Sequence, residues 1–101
     1  MLEECKALAN ETRLRILDWL KDPVANFACG DTAELGVCVG LIQRKAGISA
    51  STASAHLAIL QRAGFLTATR RGQWTYYRRN EARILTVAEE LHRTLVTSKG
   101  S

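Results

Sequence analysis

Apolar residues recur at helical spacing along most of the chain, and the period changes in one region of its second half. Leu2, Cys5, Leu8 and Ala9 fall on one side of a short helix expected from Leu2 to Ala9. Asn10 has the chemistry of an N-cap for a second helix, Glu11 to about Lys21. Leu14, Leu17 and Leu20, with Ile16 and Trp19 beside them, give that helix a wide apolar face. Asp22-Pro23 is expected to end it, because proline cannot continue the hydrogen-bond ladder. Residues 24–36 have little periodicity and read as a loop with room for one turn of helix. The next helix is predicted from Val37 to Ala46, with Val37, Leu41 and Ile42 on one side and Gly47 just past its end. Ser49 caps the following helix, Ala50 to Ala63, which Gly64 closes.

The period then changes. Phe65–Arg70 and Trp74–Arg79 are rich in Thr, aromatic and alternating residues, and Arg71-Gly72-Gln73 separates them, which reads as a β-hairpin. Asn80 can cap a last helix from Glu81 to about Val96, with Ile84, Val87, Ala88, Leu91 and Leu95 in one stripe. Residues 98–101 are expected to fray. The order of four helices, a hairpin and a final helix describes a mainly α protein with a β-hairpin wing. Two helices joined by a short glycine-containing turn and followed by a hairpin make a winged helix-turn-helix, here one domain over residues 1–101.

The helix Ala50–Ala63 has an unusual composition. On a helical wheel Ala53, Leu57, Leu60 and Gly64 lie within about 60° of one another and form its buried stripe, with His56 at the margin. Ser51, Ala55, Ala58 and Arg62 lie opposite, flanked by Thr52 and Ser54. A surface of short and hydroxylated side chains can approach a DNA major groove closely, and a helix N-terminus favours an anion. An ordinary solvated helix face is the plainer reading.

Charge changes the balance between these readings. The chain has 101 residues, 14 Lys and Arg, 10 Asp and Glu, and a net charge of +4. From Leu35 to Asn80 there is no Asp or Glu, yet this span holds Arg44, Lys45, Arg62, Arg70, Arg71, Arg78 and Arg79. So long a window without a carboxylate points to a polyanion-binding surface. Arg70, Arg71 and Gln73 bracket the hairpin tip, where they can lie along a backbone or enter a minor groove. Trp74, Tyr76 and Arg78 share one strand face, and Tyr77 and Arg79 the other. Packing against the last helix accounts for at least one of these aromatics better than base stacking does.

Three blocks, LANETRLRILDWL at Leu8–Leu20, SASTASAHLAILQRAGFL at Ser49–Leu66 and RRGQWTYYRRN at Arg70–Asn80, resemble the bacterial ArsR/SmtB family of transcriptional repressors in order and spacing. The resemblance implies a homodimeric winged-helix repressor that binds an inverted-repeat operator in double-stranded DNA and is released by an inducer, often a metal or metalloid. By it, Ser49, Ser51, Thr52, Ser54, Ala55 and His56 match the recognition-helix pattern, and Arg62, Arg70, Arg71 and Gln73 join them as DNA-binding candidates. The family often has Gln and Pro after the first Ser, and a basic or polar residue before the His. This chain has Ala50, Ser51 and Ala55 there. The first and last helices would pair across the dimer, through Leu2, Leu8, Ile84, Val87, Leu91 and Leu95. Such a regulator is cytoplasmic, associated with the bacterial nucleoid, and no apolar run reaches the about 18 residues of a membrane span.

The three cysteines form no CxxC pair. Arsenic and cadmium sensors of the family carry Cys-Val-Cys ahead of the recognition helix, and Cys38-Val39-Gly40 resembles that segment with its second thiol missing. Cys29 could supply a replacement and Cys5 could come from either subunit, giving soft donors for arsenite, cadmium or zinc, or a redox site. Small buried hydrophobes are the alternative. The family's last-helix site uses paired Asp and His ligands; here only His92, near Glu89 and Glu90, stands in that region. Catalysis has little support, since there is no nucleophile elbow, HExxH or phosphate loop. Ser54 and His56 point about 160° apart on their helix and cannot act as a pair. The rival function is a winged-helix protein–protein module whose basic face meets an acidic partner.

Overall fold

In the computed structural model, which describes residues 1–27 and 35–96, the chain folds as a winged helix-turn-helix. The helices are α1 (Leu2–Leu8), α2 (Glu11–Trp19), α3 (Pro23–Asn26), α4 (Val39–Ala46), α5 (Ala50–Arg62) and α6 (Glu81–Leu95). The strands are β1 (Val37–Cys38), β2 (Leu66–Arg71) and β3 (Trp74–Arg79), in the order β1-β3-β2 with both pairings antiparallel.

The caps fall where the sequence places them. Asn10, Ser49 and Asn80 each accept a hydrogen bond from the backbone N–H three residues on, satisfying one orphan donor of α2, α5 and α6. Gly47 adopts the left-handed conformation (φ 68°) past α4, and its N–H donates to the carbonyls of Gln43 and Arg44.

Three expectations are corrected. Val37 and Cys38 form a strand rather than the start of a helix, because they pair with Tyr77 and Tyr76 on the free edge of β3. A two-residue strand leaves no periodicity to read, and its cause lies some forty residues away. The single turn of helix allowed from Val24 is present but begins at Pro23: Asp22 accepts from the Ala25 N–H, and a proline at the first helical position lacks only a donor that would be unpaired anyway. Arg71 belongs to β2 and pairs with Trp74, so the hairpin loop is only Gly72-Gln73, with the positive φ at its first residue.

The core gathers one to three buried residues from each of α1, α2, β1, α4, α5, β2 and α6. Ile16, Val37, Ile42, Leu57, Leu60 and Phe65 are its largest fully buried side chains. Ala53, Leu57 and Leu60 are the buried stripe expected of α5. Each buried leucine contributes about 1.5–3 kcal/mol relative to an exposed one, so the core holds α5 firmly. Leu14, expected on the apolar face of α2, is half exposed, and Ile16, Leu17 and Leu20 form the buried side instead.

Helix α6 leaves the core as it proceeds. Val87 is buried at 3% exposure, Ile84 and Leu91 rest on the core's edge, and Leu95 is 75% exposed. At the other end of the chain Leu2 is 69% exposed, while Leu8 is partly buried against the core. Glu4 of α1 and Arg83 of α6 form an ion pair that joins these two helices. No helix of the described residues is long and apolar enough to cross a membrane.

Candidate nucleic-acid interface

Helices α4 and α5 and the turn between them form the helix-turn-helix, and α5 presents its small face outward. Ser51, Thr52, Ser54, Ala55, Ala58 and Arg62 are all exposed. The hydroxyls at the helix start are already organised. Ser49 Oγ accepts from the Thr52 N–H at 3.2 Å, donates to Thr52 Oγ1 at 2.8 Å, and lies 3.3 Å from Ser51 Oγ. Ser49 is therefore first a cap, and the Thr52 and Ser51 hydroxyls gather on it.

The wing follows α5, which packs against its first strand β2. Arg70 Nε donates to the Gly72 carbonyl at 3.2 Å and stiffens the tip, while Arg71 and Gln73 are exposed. The register puts Arg71, Thr69 and Thr67 opposite Trp74, Tyr76 and Arg78 on one sheet face. Leu66 and Tyr77 share the opposite face, and there they meet the core. Burial pushes the Tyr77 phenol above its ordinary value. Tyr77 is thus the packing aromatic, whereas Trp74 stands 51% exposed near the tip.

The seven cations of the carboxylate-free span do not all face solvent alike. Arg44, Lys45, Arg62, Arg70, Arg71 and Arg78 are exposed. Lys45 lies 5.3 Å from the Trp19 ring centroid and 5.9 Å from that of Phe27, a double cation–π contact joining α4 to α2 and to Phe27, just past α3. Arg79 turns inward, with its side chain 11% exposed and paired with Glu81.

His56 is half-buried at the margin of α5, and Arg13 of α2 meets it. Arg13 Nη1 lies 3.1 Å from His56 Nδ1, Nε donates to the Ala7 carbonyl at 2.7 Å, and Nη2 to the Lys6 carbonyl at 3.3 Å. Burial first, and then the Arg13 charge, lower the His56 pKa below 6.5. Sequence reasoning passed over Arg13, because its partner lies 43 residues away and no periodicity connects them.

Cys5 on α1 and Cys38 in β1 are half-buried free thiols. Cys29 lies outside the described residues. Among the described residues no three His, Cys, Asp or Glu side chains come together as a metal site. His92 and Glu89 line an open groove with Arg93 and Val96 near the end of α6.

This arrangement, a buried-stripe helix with a small outward face beside a basic two-stranded wing, has close relatives. No family model matches the chain. It is 47% identical over 93 residues to the uncharacterized HTH-type transcriptional regulator YbzH of Bacillus subtilis, covering 89% of this chain and 93% of that protein. Among solved structures, the homodimeric winged helix-turn-helix DNA-binding domain Mb0332 of Mycobacterium bovis, a "possible ArsR-family transcriptional regulator", is 30% identical. The match covers 95% of this chain and 81% of that one, with a TM-score of 0.63. HlyU of Vibrio cholerae is 29% identical, over 95% of this chain and 91% of its own, with a TM-score of 0.64. The chain belongs to the ArsR/SmtB family of winged helix-turn-helix transcriptional regulators. It is a DNA-binding regulator by fold and not an enzyme.

Proposed function

We propose that the protein is a homodimeric repressor that seats α5 in the major groove of an inverted-repeat operator and lays its wing on the flanking backbone. The observation that carries this reading is the outward face of α5. Its short side chains let the helix backbone approach base edges, and its span of the chain is free of carboxylates. Ser51, Thr52, Ser54 and Ala55 face the groove, with Ser49 and His56 at the edges of that surface. Arg62, Arg70, Arg71 and Gln73 take the phosphates, which position the protein without reading sequence.

The dimer reading rests on apolar side chains left open on the two terminal helices. Leu2, Leu85 and Leu95 are exposed, with Leu8, Ile84 and Leu91 partly buried beside them. Val87, named with them from the sequence, lies in the chain's own core. The related Mb0332 domain is homodimeric. Two copies of α5 then meet half-sites about one helical turn apart.

The inducer reading rests on the thiols. Cys38 stands at the N-cap position of α4, one turn-connected helix before α5, where a bound arsenite, cadmium or zinc ion or an oxidised sulfur would disturb the helix-turn-helix. Cys29 and Cys5 are the candidate partners.

The test is selection of duplex DNA from a random pool by the purified protein, followed by mobility shift. A selected inverted repeat bound by a dimer supports the reading, and a protein–protein module would enrich no sequence. Titrating the complex with arsenite, cadmium, zinc and oxidants tests the inducer. Release that survives Cys29→Ser and Cys38→Ser together would exclude those two thiols.

A further inference from the structure

We propose that Arg13 is a positioning residue that straps the end of α1 to the recognition helix through His56, so that DNA affinity requires the neutral imidazole and falls as the solution is acidified. The inference rests on the DNA-binding reading of α5 and adds a coupling to it.

The chemistry of the two side chains fixes the direction of the bond. A guanidinium carries only donors, so His56 Nδ1, 3.1 Å away, must accept and cannot hold a proton. The proton of the neutral ring then sits on Nε2. The other arms of the same planar fork hold the Ala7 and Lys6 carbonyls, at 2.7 and 3.3 Å. These belong to the last turn of α1, where the Lys6 carbonyl also accepts from the Ala9 N–H at 3.3 Å. One rigid group thus caps α1 and grips α5, and α1 is the helix that exposes Leu2. Lysine could not replace it, because its donors radiate from one atom rather than along a fork.

Protonation would place two cations against each other and leave Arg13 Nη1 without an acceptor. The groups facing the ring fit this account. From α2 the charged neighbour is Arg13; α1, also packed against α5, carries Glu3, Glu4 and Lys6, and Glu4 is paired with Arg83 and the Met1 ammonium. On the other elements packed against α5, Lys45 of α4 lies over the Trp19 ring, Arg44 is exposed, Arg70 of β2 bonds the Gly72 carbonyl and Arg71 is exposed. No carboxylate on α4 or β2 is present to hold the imidazolium. The sign separates the strap from plain electrostatics, since an added positive charge on a DNA-binding face would by itself raise affinity in acid.

The experiment uses the full chain and a duplex selected from a random pool by the wild-type protein. Wild-type affinity is expected to fall about tenfold between about pH 8 and about pH 5.5, the scale of one hydrogen bond to a charged group. His56→Asn, whose carbonyl oxygen can accept but does not titrate, is expected to flatten that profile. Arg13→Lys is expected to lower affinity about tenfold at about pH 8 and also to flatten it. Nitrogen-15 chemical shifts of the wild-type ring need no variant and no DNA: they should show Nε2 protonated and Nδ1 bare, with a pKa below 6.5. A selected duplex bound with constant or rising affinity on acidification overturns the inference alone, as does a ring protonated at Nδ1. If no duplex is selected at any pH, the DNA reading falls and takes this inference with it.

Discussion

The Arg79 guanidinium donates through Nη1 to the Leu17 carbonyl oxygen, 2.9 Å away, and grips both carboxylate oxygens of Glu81 through Nε and Nη2, at 2.8 and 3.0 Å. An arginine from the carboxylate-free span therefore anchors the base of the wing to the end of α2. Arg79→Ala is expected to cost about 1–3 kcal/mol in urea unfolding, because it strips a hydrogen bond to a charged group from a largely buried site. The salt dependence of DNA binding should not change, since Glu81 already balances that charge.

The same contact sets a pH response. The hydrogen bond from Arg79 is the main reason that the Glu81 carboxyl titrates below its ordinary 4.5. The unfolded chain therefore takes up this proton first as the solution is acidified. Stability from the pair is present above pH 4.5 and is lost as the pH falls through the lowered value. Thermal unfolding of Glu81→Gln across that range should show a shallower acid limb than the wild type.

Arg71 differs from Arg79 in standing exposed at the wing tip. Arg71→Ala should leave the melting temperature nearly unchanged and weaken binding to the selected duplex. The slope of log affinity against log salt should become shallower by about 0.9, the release of one phosphate's counterions. An unchanged slope would remove the wing from the phosphate contacts.

The two faces of α5 should respond in opposite ways to small substitutions. Leu57 is fully buried, and Leu57→Ala is expected to cost about 2–5 kcal/mol, a large share of the about 5–15 kcal/mol typical of a domain. Ser51→Ala, on the exposed face, should stay within about 0.5 kcal/mol of the wild type. Denaturant unfolding measures both, and mobility shift should then assign the affinity loss to Ser51 rather than to unfolding.

Gly36 has φ +99°, and a Cβ there would run into the Tyr77 carbonyl and the Arg78 side chain. Gly36→Ala is expected to cost more than about 1 kcal/mol, because both the backbone conformation and the space are wrong for a side chain. Amide exchange should show the loss concentrated at Val37 and Cys38, the strand that Gly36 introduces.

Much of this is legible in the linear sequence. The three caps at Asn10, Ser49 and Asn80, the glycine stop at Gly47 and the outward face of α5 all depend on neighbours within about one helical turn, the range over which a linear pattern carries information. The strand at Val37–Cys38 was not legible, because it exists only through pairing with Tyr76 and Tyr77. The inward turn of Arg79 was hidden for a related reason: its side chain reaches the Leu17 carbonyl 62 residues earlier. Charge counted along the chain treats seven cations alike, and packing decides which of them meet solvent.

The sequence by itself determined the element order, the recognition helix with its small face, and the family to which the chain belongs. These follow from local caps, periodicities and motifs. Tertiary structure decided that Val87 enters the chain's own core while Leu95 stays open, that Lys45 lies against two rings, and that one arginine of α2 holds both α1 and His56. Each of these depends on which surfaces meet when the helices pack, and residues distant along the chain leave no periodic trace of that meeting.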